Sequence, residues 1–317
     1  MAPYLLRLIL ILFTLSILSI STKGILVNIP PEVLGRMQQA TTDCIKLATL
    51  VSIVFADCDP VFQRYFPVGD APFVEQVFRR IANFPPDAVL ELTDFETIMQ
   101  QRADVGLDRR LIDLLITYDN HPNGIQQFCD DDDDTLGFFT LLTTGEPCVC
   151  ICPYTMRAFP DEEEINNPPA WARDADGNPL PGYGCDGLGD HDSDLMWFPG
   201  AILLHELTHY SNFFQDIPGW DNLIGFDSAG QRSIDDWEGP VPPFGYGAFY
   251  ARILQYLSTV NPAQYAGGHE AINNADSYAA YALSVWWRWR CGREFAPSVN
   301  SADTDNRVPP PRPGASP

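Results

Sequence analysis

His205-Glu206-Leu207-Thr208-His209 constrains this chain more than any other segment, because its polar side chains can act together only on a helix. At about 3.6 residues per turn, imidazoles four positions apart project from one face, where both can ligate one metal ion. Glu206 then sits beside the ion's remaining position, within reach of a bound water. The flanking residues agree. Pro199 suits a first helical turn, Gly200 is tolerated there, and Ala201, Ile202, Leu203 and Leu204 form an apolar run that would bury the helix behind the metal. The plainer explanation is a core helix that carries two histidines by chance. Only five histidines occur in 317 residues, so their spacing, the glutamate between them and the helical context together favour a Zn²⁺ site.

Arg7 precedes an apolar run over residues 8–20 that is interrupted only by Thr14, Ser16 and Ser19. Small residues near Ser21 offer a cleavage site, so residues 1–22 are expected to be a signal peptide and the protein secreted. The run falls short of the roughly 20 residues of a membrane span; an uncleaved anchor is the alternative. Cleavage would remove Arg7 and no acidic residue, leaving 18 basic side chains against 42 acidic ones, a net charge of −24. Such a surface excludes nucleic acid and anionic membranes as partners and would attract a cationic substrate, although acidity also serves solubility alone. No partner chain is called for, and a monomer is expected. Eight cysteines (Cys44, Cys58, Cys129, Cys148, Cys150, Cys152, Cys185 and Cys291) allow up to four disulfides in an exported protein. Cys148, Cys150 and Cys152 alternate and could instead form a thiolate metal site, but an oxidising compartment favours bridges.

One domain is expected over residues 25–295, with a helical part at 25–120, a catalytic part at 136–295 and a disordered Pro- and Asp-rich tail at 296–317. Cys44, Leu47 and Val51, then Phe73, Val77 and Ile81, recur at helical spacing, with Pro60 and Pro67 as breaks. Helical character continues over 89–115. The five aspartates at 130–134 read as a solvated loop rather than a calcium site. Residues 136–160, rich in Phe, Thr, Val, Ile and Cys, read as short strands, and 161–194 as a long polar loop. Asp190, Asp192 and Asp194 alternate as in an EF-hand, but Leu195 and Ala201 occupy the places of its glycine and glutamate. Two further helical segments follow at 248–256 and 271–289. Trp286-Trp287-Arg288-Trp289-Arg290 is expected to be aromatic core with arginines pairing carboxylates, not a membrane or nucleic-acid surface.

A catalytic zinc takes three protein ligands. No third histidine follows His209 at a useful spacing, and His121, His191 and His269 lie in unpromising contexts, so a downstream carboxylate is expected. The candidates are Asp216, Asp221, Asp227, Asp235, Asp236, Glu238, Glu270 and Asp276. At this point the chain resembles a family. His-Glu-Leu-Thr-His, then Ser233-Ile234-Asp235-Asp236-Trp237, Phe244-Gly245-Tyr246-Gly247 and Asn273-Asn274-Ala275-Asp276-Ser277-Tyr278 are similar to the aspzincin metallopeptidases, which include deuterolysins and peptidyl-lysine metalloendopeptidases. Tyr65-Phe66, the cysteines from Cys148 to Cys152, and Cys185 also fall in the family's order, so the resemblance covers most of the chain. It implies a zincin-like α+β fold, mainly helical, with a small antiparallel sheet. It makes Asp236 the third ligand, Tyr246 a catalytic tyrosine that helps hold the oxyanion, and Asp276 a carboxylate in the pocket for the residue after the scissile bond. It also implies that Cys185 joins one of Cys148, Cys150 or Cys152.

The chain departs from the family's Gly-Thr-x-Asp-x-x-Tyr-Gly pattern. Ser233-Ile234 replaces Gly-Thr, and ten positions separate Asp236 from Tyr246 where the family has three. An insertion with Pro240, Pro242 and Pro243 would have to loop out and return. Ala279 stands where lysine-specific members carry a second acid. The expected activity is that of a secreted zinc metalloendopeptidase acting on peptides, with Lys or Arg after the scissile bond favoured: Glu206 serves as general base and acid, and His205, His209 and Asp236 hold the metal. The rival readings are a secreted zinc-binding, zinc-scavenging or surface-interaction protein without proteolysis, and a fold that the metal merely stabilises. Intact Glu206 argues against pure binding. For Asp276, the alternative is a carboxylate that braces helices.

Overall fold

A computed structural model describes residues 25–102, 113–129, 135–227, 230–237, 245–261 and 270–299. The expected signal peptide, the aspartate run at 130–134, Glu238, the insertion prolines, His269 and most of the tail therefore lie outside the described residues. The fold is α+β and about 53% helical, with a four-stranded mixed sheet. The main helices are α1 (Pro31–Val54), α2 (Pro60–Tyr65), α3 (Ala71–Ile81), α4 (Phe95–Arg102), α5 (Pro153–Ala158), α6 (Glu162–Asn166), α7 (Gly184–Gly187), α8 (Pro199–Thr208), α9 (Ser211–Phe214), α10 (Trp220–Leu223), α11 (Gly247–Val260) and α12 (Ala275–Cys291). Among the described residues, none of them is long and apolar enough to cross a membrane.

The helical spacing of the first part holds. Cys44, Leu47 and Val51 line the buried face of α1, and Phe73, Val77 and Ile81 that of α3. Pro60 breaks the chain by starting a helix: it is the first residue of α2, which Asp59 caps by accepting the Val61 N–H at 2.9 Å. The Trp- and Arg-rich stretch closes the core as expected. Trp286 and Trp287 are buried, Arg288 pairs with Asp59 at 2.9 Å and Arg290 with Glu162 at 3.1 Å.

The sheet differs from the small antiparallel one expected. Its order is β1 (Ile25–Val27), β2 (Leu115–Tyr118), β4 (Pro147–Ile151), β3 (Gly137–Leu141); only β3–β4 is antiparallel, and β1–β2 and β2–β4 are parallel. The helical reading of 89–115 holds for α4; residues 103–112 lie outside the described residues, and Leu115 opens β2. Ile116 and Thr117 are both buried, so β2 shows none of the in–out alternation that identifies a strand in a sequence. All of β4 is buried as well, with two distinct faces. Val149 and Ile151 join the main core beneath α8; Cys148 and Cys150 join a smaller cluster with Phe138, Leu142 and Cys152.

The cysteine expectations are corrected. The disulfides are Cys129–Cys152 and Cys185–Cys291, and Cys44, Cys58, Cys148 and Cys150 are free thiols. Cys185 lies on α7, packed against the end of α12, and so meets Cys291 rather than the β4 cysteines. The 161–194 segment is less of a loop than expected. It contains α6, with its Asp161/Glu164 capping box, and α7, and it buries Glu162, Ile165, Tyr183 and Leu188. The tail begins ordered: the Ala296 N–H donates to the Asp190 carbonyl, and the Asp192 N–H donates to the Ala296 carbonyl.

Helix α8 is buried along its whole length, which is why its sequence is apolar on every side before the polar triplet. It lies against α1 at Gly200, where a Cβ would come within 2.6 Å of the Asp43 Cβ and 2.9 Å of the Cys44 nitrogen. This close contact buries Asp43, whose pKa burial pushes up from 3.8 to about 6 despite Lys46 at 2.9 Å. The folded chain therefore binds this proton more tightly than the unfolded chain does. The resulting stabilisation is complete below pH 3.8 and is lost as pH rises through about 6. Asp43→Asn should gain on wild type over that interval, by up to about 3 kcal/mol at neutral pH. Melting temperatures of the two proteins across the interval check this, and a constant difference would contradict it.

Candidate metal centre

The last turn of α8 carries His205 and Glu206, and His209 closes the helix as its C-terminal cap. The two Nε2 atoms lie 3.3 Å apart. Each ring is aimed from behind. His205 Nδ1 meets Asp276 Oδ1 at 2.7 Å, and His209 Nδ1 meets the Ile234 carbonyl at 2.8 Å. Both partners are acceptors, which assigns the Nδ1 positions their protons and leaves the two Nε2 atoms as lone-pair donors facing each other.

Asp236 completes the group. Its Oδ1 lies 3.1 Å from His205 Nε2 and 3.7 Å from His209 Nε2. That oxygen is buried, yet among the described residues no donor reaches it in hydrogen-bond geometry. Three electron-pair donors converging on one point demand positive charge there, from a proton or from a metal ion. One atom each from His205, His209 and Asp236, all within 4.8 Å of one another, could hold a metal ion. The electrostatics agree. Burial opposes a proton on His205, but Asp236 and Asp276 outweigh it and hold its pKa well above the usual imidazole value. Burial likewise opposes charge on Asp236, and His205, His209 and a hydrogen bond from Tyr246 hold it well below the usual carboxylate range.

Of the other candidate ligands, Asp235 uses Oδ1 to accept the Asp236 N–H at 2.9 Å, and neither it nor Glu270 belongs to the converging group. Glu206 stands beside the group, its oxygens 3.9 Å from His205 Nε2 and 3.8 Å from His209 Nε2, and burial raises its pKa. Gly137, the first residue of β3, leaves room for it: a Cβ there would come 3.2 Å from Glu206 Oε1. Tyr246 precedes α11, is 44% exposed, and hydrogen-bonds Asp236. The ten-position gap is bridged because the Gly245 N–H donates to the Trp237 carbonyl at 3.0 Å, which sets Tyr246 close to Asp236.

Asp276 lines the cleft in front of the group, and it also stands behind His205. It is 4% exposed; Oδ1 accepts from His205, and Oδ2 accepts the Gly247 N–H at 2.6 Å, so both oxygens are committed. Its position matches the bracing alternative, with the imidazole itself as the braced group. The Ile234 carbonyl and Asn274 went unnoticed in the sequence, where a main-chain acceptor leaves no signal and Asn273-Asn274 reads as a helix start. Asn274 is the N-cap residue of α12, and its side chain also binds Trp237 and Gly245 on either side of the gap.

The group opens onto a cleft of about 880 Å³. Its lining includes Phe128, Gly137, Phe138, Phe139 and Leu141 together with Asp227, Ser233, Asp235 and Tyr246. No Lys or Arg is among the described residues lining it. Asp276→Ala would strand a buried imidazole N–H and the Gly247 N–H. It should cost about 1–3 kcal/mol in stability and weaken metal binding by about 10–100-fold. Thermal melting and competition with a chelator measure the two losses, and a variant with wild-type metal affinity would contradict the bracing role. In comparisons with known proteins, no family model, no curated protein and no solved structure matches this chain.

Proposed function

We propose that the protein is a secreted zinc-dependent metalloendopeptidase, as its resemblance to the aspzincins suggests. The observation that carries this reading is the meeting of two aimed imidazoles and an orphaned carboxylate oxygen beside a buried glutamate, in an open cleft. Tetrahedral zinc with ligands at about 2.0–2.1 Å needs ligand atoms about 3.3 Å apart. The observed 3.1, 3.3 and 3.7 Å separations fit that requirement. Nitrogen and oxygen donors suit zinc, and three protein ligands leave a position open for chemistry.

When bound there, zinc would supply Lewis acidity, lowering the pKa of a water molecule and polarising a peptide carbonyl. His205, His209 and Asp236 would hold it, and Asp276 and the Ile234 carbonyl would keep the imidazoles in the required tautomer. Glu206 would accept the proton of the attacking water at its carboxylate and deliver it to the leaving amine. β3 ends the sheet on the cleft side, so an extended peptide laid along it would pass over Glu206. Tyr246 would turn its hydroxyl from Asp236 towards the oxyanion. The acidic lining favours basic peptides through the field of the whole cleft rather than through Asp276. Secretion is supported by the apolar segment at 8–20 and by the two disulfides.

A second reading, a secreted zinc-binding protein without proteolysis, draws on one observation: the Tyr246 side chain is engaged in a hydrogen bond with Asp236, one of the would-be ligands. Glu206→Gln separates the two. With zinc loaded and a denatured lysine-rich protein as substrate, the peptidase reading expects the variant to keep its zinc and to lose cleavage by at least about a hundredfold. Undiminished cleavage by the variant rejects Glu206 as the base. Full zinc occupancy in wild type with no chelator-sensitive cleavage favours the binder.

A further inference from the structure

Asn274 is 1% exposed and makes bonds to three partners with one amide. Its Oδ1 accepts the Trp237 N–H at 3.2 Å, and its Nδ2 donates to the Gly245 carbonyl and to Ser277 Oγ, both at 3.0 Å. Trp237 follows the metal-group carboxylate Asp236, and Gly245 precedes Tyr246. We propose that Asn274 is a positioning residue for the metal site: by tying Trp237 and Gly245 to the start of α12, it keeps Asp236 in register with the imidazoles. The inference rests on the metal reading above.

The main chain prepares the place. The Asp235 N–H donates to the Asn273 carbonyl and the Ala275 N–H to the Asp235 carbonyl, each at 3.0 Å, which lays the ligand segment along residues 273–275. These bonds hold Asp235, and the amide of Asn274 reaches beyond Asp236 to both Trp237 and Gly245. The job needs an acceptor and a donor on one short planar group. A carboxylate would face the Gly245 carbonyl with like charge, and a hydroxyl would be too short to span the two strands. Gly245 is glycine for the same reason, since a Cβ there would fall 2.5 Å from Asn274 Oδ1. Because Asp276 lies two residues on and aims His205, the first turn of α12 fixes one imidazole and the carboxylate together.

The neighbouring residue supplies a control. Asn273 uses the same pair of atoms on a segment without a ligand: Oδ1 accepts the Gly225 N–H at 2.6 Å and Nδ2 donates to the Leu223 carbonyl at 2.9 Å. Zinc affinity is measured on the full-length protein by competition with a colorimetric chelator, alongside melting of the metal-free protein. Asn274→Ala should lower zinc affinity by about 10–100-fold, the usual cost of losing a group that orients a ligand. Asn273→Ala should lose comparable stability with its zinc affinity unchanged. Equal affinity losses in the two variants would show a merely structural role and overturn the proposal, as would unchanged affinity in Asn274→Ala. Should that variant fail to fold, Gly245→Ala decides: it drives a methyl into the amide and should reproduce the affinity loss, and unaltered affinity overturns the proposal. A wild-type protein that binds no zinc would overturn the metal reading itself, and the positioning role with it.

Discussion

The contact between His205 Nδ1 and Asp276 Oδ1 governs the rest of the site. It is buried at both ends, so neither group can exchange its partner for water without a large loss. By fixing one tautomer it decides that Nε2 faces outward as a lone pair. That choice turns a histidine near an aspartate into a ligand with a vacancy in front of it. The other oxygen of Asp276, on the Gly247 N–H, carries the same constraint to the first residue of α11, next to Tyr246. One carboxylate thus links the metal helix, α12 and the segment bearing the tyrosine.

Such a contact requires helices that do not shift, and the packing provides this at a cost. Helix α8 is pressed onto α1 so closely that only glycine fits at Gly200, and the approach buries Asp43 in a place where its charge is disfavoured. A second carboxylate, Glu162, is buried nearby with Lys46 and Arg290 as partners. Ionisable groups buried in the wall behind the metal helix are better tolerated than slack in the helix itself, because an error of a fraction of an ångström in α8 is carried directly to both imidazoles.

Much of the site was legible in the sequence, and for a physical reason: a spacing of four on an apolar, proline-started helix leaves little freedom to the groups at its end. Asp236 was reachable only through the family resemblance, since eight downstream carboxylates are chemically equivalent until the chain is folded. The sequence left Asp276 between pocket and brace, because a motif shows which residue is present and not which way its oxygens face. Strands β1 and β2 escaped notice because strands covered on both faces, as β2 is, lack alternation. The pairing of Cys185 with Cys291 is a tertiary fact, set by where α7 meets α12, and no spacing along the chain encodes it.

The bond between Trp237 and Gly245 has a consequence for how such a chain can vary. With Trp237 and Gly245 held together, lengthening the chain between them adds ring-closure entropy of about 0.6 kcal/mol for each doubling of length. A longer segment between ligand and tyrosine can therefore serve the same pair of side chains. Insertions at this point are nearly neutral for the metal group, whereas a single residue gained or lost between Ile234 and Asp236 would rotate the carboxylate to the wrong side of its strand-like segment.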